Sequence, residues 1–402
     1  MKKFVIVSTV LLLIGASLFG YSLYHYISVT NPSAVAAPSS QTPTEPAGEE
    51  PTLNRASLDD NGIFSANYEK ASAYVAEMSR EQMVGQILLG SVSDTSAAAT
   101  DVKRYALAGV LFENESFDYL TKEQVTEAVA AVGEAAEVSP ILAVQEEGGN
   151  VNSVSSHEAF SDVTFSSPRN LYDSGGLAAV EKEEDKKAEF LHELGFNLNL
   201  APVVDLASEF NHIMYSRSLS GEVQSTSDYT AYAAKFNQAK GISVALKHFP
   251  GYGTLPDTVD SVVTDDREAS SIRSNDYAPF KAGAEAGAHF IMVSNVVVQN
   301  IDSAHTAALS PDIHRELRED VGFTGLVMTD LIDRADYSAY SDGKPVAVAA
   351  VLAGNDLILV RDYASAYNAI LDAVKDGTID PDIIRQACTR VIAYKYTAGL
   401  IE

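Results

Sequence analysis

Eight short apolar runs, separated by stretches with helical spacing, constrain this chain more than any other feature. The runs fall at residues 86–90, 109–112, 141–144, 198–204, 244–246, 290–293, 326–328 and 357–360. Helical patterns lie between and after them, at 122–137, 180–194, 229–240, 277–286, 311–319, 346–353 and 364–376. Strands that alternate with helices pair in parallel through right-handed crossovers. Eight such units in about 345 residues predict an α/β fold, a (β/α)8 TIM-type barrel with long insertions. A doubly wound sheet is the competing arrangement.

The same reading divides the chain. Residues 1–29 form an N-terminal signal-anchor: Lys2 and Lys3 precede Phe4–Ile27, which holds no Asp, Glu, Lys or Arg. Such a run is long enough to span a bilayer as a helix, with the lysines held in the cytoplasm. Ala34-Val35-Ala36 resembles a small-residue cleavage site, so the rival is a cleaved signal peptide and a secreted protein. Either way the rest is expected to be extracytoplasmic, on a single-pass membrane anchor if uncleaved. Residues 30–57 read as a Pro/Ser/Thr/Glu-rich linker, too poor in apolar residues to fold. Residues 58–402 are the expected barrel.

Charge and cysteine content narrow the function. A net charge of −27 argues against a nucleic-acid partner, whose phosphates it would repel. The single cysteine, Cys388, sits in a helical apolar stretch and reads as a core thiol. No phosphate-binding glycine loop, zinc-spaced histidine pair or G-x-S-x-G elbow occurs, so no metal and no cofactor is expected.

In a barrel of this kind chemistry collects at the C-terminal ends of the strands. Just past the apolar runs stand Glu146 and Glu147, Asp205, Lys247 and His248, Asn295, Asp330, and Arg361 with Asp362. Asp330 follows a rigid apolar strand, where a carboxylate can attack an anomeric carbon or balance its positive charge. Asp260 lies on a Gly/Pro-rich loop, where a second group can deliver and remove protons. Lys247 and His248 suit sugar hydroxyls. Plainer readings stand beside these: Asp330 as a partner for Lys247, Asp260 as a turn residue, His248 as a packed core histidine.

"LKHFPGYG" resembles the K-H-F-P-G-H-G signature of family-3 glycoside hydrolases, in particular the single-domain β-N-acetylhexosaminidases. "AVQEEGGNV", "LGFNLNLAPVVDL", "SRSLSG" and "ALSPDIHRELREDVGFTGLVMTDL" are similar to further blocks of that family, in the family's order. The resemblance implies a (β/α)8 barrel, retaining chemistry and a carbohydrate substrate, with N-acetylglucosamine-containing glycans favoured. It implies Asp330 as nucleophile and Lys247, His248 and Arg217 as sugar-holding residues. It implies Asp260 as the aspartate of an acid/base Asp–His dyad.

Three departures qualify that resemblance. Val262 stands where the dyad histidine belongs, and valine transfers no proton. Tyr252 replaces a loop histidine. Gln145 replaces a sugar-binding aspartate, and Asn150 and Ser153 replace two arginines. Asp257, Asp260 or Glu146 is then left to serve as acid. Two functions of different class follow: a surface glycosidase using a single-residue acid/base, or a catalytically silent, membrane-tethered barrel that binds glycans.

Overall fold

The computed structural model describes residues 58, 60–256, 258 and 261–402. The expected anchor over 1–29, the linker over 30–57 and the candidate acid Asp260 lie outside the described residues. Among the described residues no helix is long and apolar enough to cross a membrane.

Eight parallel strands form the barrel: β1 (Leu88–Val92), β2 (Gly109–Phe112), β3 (Ile141–Val144), β4 (Leu198–Asn199), β5 (Ser243–Phe249), β6 (Phe290–Val293), β7 (Leu326–Thr329) and β8 (Ile358–Val360). Each pairs in parallel with its neighbour in sequence, and β1 pairs with β8 through Leu88–Ile358. A bridge between Met328 and Leu357 joins β7 to β8 and nearly closes the ring. The doubly wound alternative is thereby ruled out. β4 is shorter than its apolar run because Pro202 has no N–H to give the ladder. Pro202 still accepts from the Lys247 N–H at 3.3 Å, so β4's continuation stays beside β5.

The helices form for local reasons. Thr121 and Gln124 cap Lys122–Ala135 reciprocally, and Ser310 caps Pro311–Glu319 with proline in its first turn. Val346–Ala353 is apolar on all faces and is buried on nearly all of them. Pro168–Glu193 starts well before the expected 180, with a break at Gly176 (φ 65°) that hid its first turns. Cys388 is wholly buried in Pro381–Thr397, and burial pushes its thiol up to about 12, as a core residue requires.

The N-terminal end of the barrel is closed by a buried charge cluster. Asp356, just before β8, accepts from Arg318 at 2.7 Å and lies 3.3 Å from Arg390. Arg390 also donates to the Thr324 and Gly325 carbonyls ahead of β7 and reaches Asp60 at 3.2 Å. These bonds tie residues 60–63, β7, β8 and the C-terminal helix into one base.

Candidate functional site

The C-terminal rim encloses a cleft of about 750 Å³. Its size suits one or two sugar rings. Asp330, Lys247, His248, Arg217 and Gln145 all line it. They come from the ends of β7, β5 and β3 and from the loop after β4, so four separate segments converge on it. Asp260, as stated, is not among the described residues.

Glu147 is the hub of one wall. Its Oε1 lies 2.7 Å from Lys247 Nζ and accepts from Arg217 Nη2 at 2.8 Å, while its Oε2 accepts from Arg217 Nε at 2.9 Å. Gln145 Nε2 adds a bond of 3.1 Å. The Glu147 side chain is 1% exposed and that of Lys247 2%. Burial alone would raise the Glu147 carboxyl, but Lys247 and Arg217 outweigh it and hold the group well below the usual carboxylate range. Burial pulls the Lys247 ammonium below its ordinary value; Glu147 and Asp330 oppose that pull, and Arg217 adds to it.

Local backbone explains why Glu147 can sit there. Residues Glu146–Gly148 and Val151–Asn152 form a tight antiparallel hairpin beyond β3. Gly148 has φ 99°, and a Cβ on it would stand 2.3 Å from the Ser166 carbonyl oxygen. Only glycine fits that turn. The hairpin sends its two glutamates different ways. Glu146 is fully buried and accepts from Ser155 Oγ and from the Val154 N–H at 2.9 Å. It does not line the cleft, so it is not placed to serve as the acid.

His248 is held by Asp205, whose Oδ2 lies 2.8 Å from the imidazole Nδ1. The other carboxylate oxygen accepts from the Tyr252 N–H at 2.8 Å. The imidazole thus keeps Nε2 as its nitrogen for a ligand. Tyr252 packs edge-on to His248, with ring centroids 5.1 Å apart, and its hydroxyl bonds Thr258 at 2.7 Å.

Asp330 is half-buried at the end of β7. Its N–H donates to Val293 O at 2.9 Å, and its Oδ1 accepts from the Leu331 N–H at 2.7 Å. Asn295 holds the next carbonyl, donating from Nδ2 to Leu331 O at 2.9 Å. No bond within the described residues engages Asp330 Oδ2. The reading of Asp330 as a simple partner for Lys247 does not hold, because Lys247 bonds Glu147 and only senses the Asp330 charge.

Among the described residues lining the cleft, the other carboxylates are Glu113 and Glu115. Val262 is half-buried and packs against the main core. Its backbone N–H contributes, after Arg334, to holding the Asp336 carboxyl below its ordinary value. Sequence reasoning placed Glu147 and Asp205 at strand ends but gave them no partners. It passed over Glu113, although the rule applied elsewhere, the first residue past each strand, points to it. Among the described residues no group of His, Cys, Asp and Glu is arranged to hold a metal ion.

Comparison with known proteins agrees with this architecture. The model of the Glycosyl hydrolase family 3 N terminal domain matches residues 79–394. A protein named Beta-hexosaminidase from Stenotrophomonas maltophilia (strain K279a) is 34% identical over 289 residues, covering 68% of this chain and 83% of its own length. A β-N-acetylhexosaminidase from Beutenbergia cavernae DSM 12333 superposes with a TM-score of 0.67 at 26% identity, over 80% of this chain and 99% of that one. A family 3 β-N-acetylglucosaminidase from Paenibacillus sp. str. FPU-7 superposes with a TM-score of 0.72 at 24% identity; the match covers 80% of this chain but 63% of that longer one.

Proposed function

This chain belongs to glycosyl hydrolase family 3, and from that premise we propose that its cleft hydrolyses β-linked N-acetylhexosaminides with retention of configuration. Asp330 carries the reading. It offers an oxygen with no bond within the described residues, on a rigid strand end, in a sugar-sized cleft whose other wall is cationic. Asp330 Oδ2 attacks the anomeric carbon as the glycosidic bond breaks, giving a glycosyl ester. The departing oxygen takes a proton from Asp260, which follows β5 in the sequence. Water then attacks the anomeric carbon, giving its proton to the Asp260 carboxylate, as the bond from that carbon to Asp330 Oδ2 breaks and frees the aspartate.

Lys247, Arg217, His248 and Gln145 hold the sugar. Glu147 fixes Lys247 and Arg217 at 2.7–2.8 Å and so keeps two flexible cations in one place before substrate arrives. Cell-wall or environmental glycans containing N-acetylglucosamine are the substrates this reading favours. It also puts the barrel outside the cytoplasm, tethered by residues 1–29; membrane fractionation with protease-accessibility mapping tests that placement.

A paired assay tests the chemistry. p-Nitrophenyl β-N-acetylglucosaminide has a good leaving group and reports on the nucleophile; chitobiose reports on the acid as well. The wild type should release p-nitrophenol, and Asp330→Asn should lose on the order of 10⁴-fold in rate. Asp260→Asn should slow chitobiose cleavage by about 10²-fold or more while sparing kcat/KM for the aryl substrate, whose first step needs no acid; its turnover should slow at the second step, with a burst of p-nitrophenol. The specific observation behind a second reading is Val262. Saturable glycan binding with no turnover of either substrate would make this a silent carbohydrate-binding barrel.

A further inference from the structure

Opposite the Glu147–Lys247 wall, the cleft has a second polar wall with a different character. In a ring of eight strands, β1 lies across from β5. Ser91 on β1, Glu113 just past β2 and Arg361 just past β8 all line the same cleft as Asp330. One oxygen joins the three: Glu113 Oε1 accepts from Ser91 Oγ and, at 2.6 Å, from Arg361 Nε. Arg361 is fixed at its backbone as well, its N–H donating to Asp333 Oδ2 at 2.8 Å. Asp333 also accepts from the Asp362 N–H at 3.2 Å, so the loop that carries Asp330 sets the position of this arginine.

The pair leaves its outer edge unspent. Among the described residues, no bond engages Glu113 Oε2 or the two terminal amino groups of Arg361. The Arg361 side chain is 56% exposed and that of Glu113 17%, so the ion pair adds little to stability. It presents an acceptor oxygen beside a donor fork. A carboxylate or phosphate ligand would meet Glu113 unfavourably, and an amine would meet Arg361 unfavourably. A neutral vicinal diol satisfies both, one hydroxyl donating to the carboxylate and its neighbour accepting from the guanidinium.

We infer that Glu113 and Arg361 form a diol clamp that grips adjacent ring hydroxyls of the sugar bound between the two walls and sets which sugars enter. Ser91 is a positioning residue for the clamp. The inference rests on the carbohydrate reading given above and names the side chains that discriminate among sugars within it.

The test is a binding titration, so that it does not depend on turnover. N-acetylglucosamine and its 3-deoxy, 4-deoxy and 6-deoxy analogues are titrated against wild type, Glu113→Gln and Arg361→Gln, with thermal melts confirming that each variant is folded. Each variant should bind N-acetylglucosamine about tenfold or more weakly than wild type. Against the analogues lacking a clamped hydroxyl, at two adjacent ring positions, wild type and variants should converge. Equal losses against every analogue, unchanged affinity in both variants, or no binding by wild type would each overturn the clamp. Hydrolysis of the aryl glycoside is measured in parallel. A wild type that binds with the clamp pattern yet releases no p-nitrophenol would leave the clamp standing and remove the hydrolase reading.

Discussion

The barrel carries two buried charge clusters of nearly the same composition, one at each end. At the mouth, Glu147 sits between Lys247 and Arg217; at the base, Asp356 sits between Arg318 and Arg390. Both carboxylates are essentially inaccessible to solvent, and both clusters are costly to desolvate. They differ in what lies on the remaining side. At the base, Arg318 donates to the Phe323 and Gly325 carbonyls, and Arg390 donates to those of Thr324 and Gly325, to Asp60 and to the Tyr68 hydroxyl. At the mouth, Lys247 and Arg217 border an open cleft. A buried ion cluster therefore does not mark a site; a cluster with one open side does.

That contrast can be broken from either end. The largest expected effect is at the base. Arg390→Met removes one of the two cations beside Asp356, takes from Asp60 its arginine and leaves the Thr324 carbonyl without its donor, and should cost about 3–5 kcal/mol of stability. Denaturant unfolding should register the loss, while the KM of the folded enzyme stays unchanged. At the mouth the pattern inverts. Lys247→Met leaves Glu147 its bidentate bond to Arg217, so the stability loss should be smaller than for Arg390→Met. Catalysis should suffer instead, with kcat/KM falling about 10²–10³-fold. A lysine variant that unfolds as readily as the arginine variant would erase the distinction.

Acid should sharpen the comparison through His314, which Arg318 and Asp356 of the base cluster both influence. Burial pushes this imidazole down to about 4 in the folded chain. Unfolded, it takes its proton near the ordinary value of about 6.5. Its contribution to stability is therefore complete above about pH 6.5 and is lost as pH falls toward 4. His289, also held to about 4 by burial, adds in the same direction. Urea midpoints measured at pH 7.5 and pH 5 should differ, and His314→Gln should narrow the difference. An unchanged gap would place the acid sensitivity elsewhere.

The smallest expected effect concerns the loop. Val262→His should raise chitobiose cleavage by about tenfold, a fraction of what a fully formed general acid supplies. The aryl substrate should barely respond. An equal response from both substrates would mean that the new imidazole acts on binding and not on proton transfer.

Much of this architecture was legible in the sequence, because buried parallel strands leave continuous apolar runs. Gly109–Phe112, Ile141–Val144 and Phe290–Val293 appear as strands with the bounds their apolar residues predict. Thr95–Arg104 was not legible as a helix. It buries only Ala98 and Val102, too sparse a stripe to stand out by periodicity. The site was legible in part for a related reason. Strand ends named Asp330, Lys247 and His248, since each follows an apolar run directly. The centrality of Glu147 depends on a glycine turn after β3 and on Arg217 arriving from a loop 70 residues later. No local pattern encodes that meeting, and the same holds for Glu113 and Arg361, 248 residues apart.

The account turns on Asp330 as the atom that takes the sugar. A slow, mechanism-based 5-fluoro glycosyl fluoride of N-acetylglucosamine, followed by proteolysis and mass spectrometry, tests this most directly. The prediction is one glycosyl adduct per chain, carried on the side chain of Asp330 and absent from Asp330→Asn. An adduct on any other residue, or turnover of the reagent by Asp330→Asn at the wild-type rate, would contradict it.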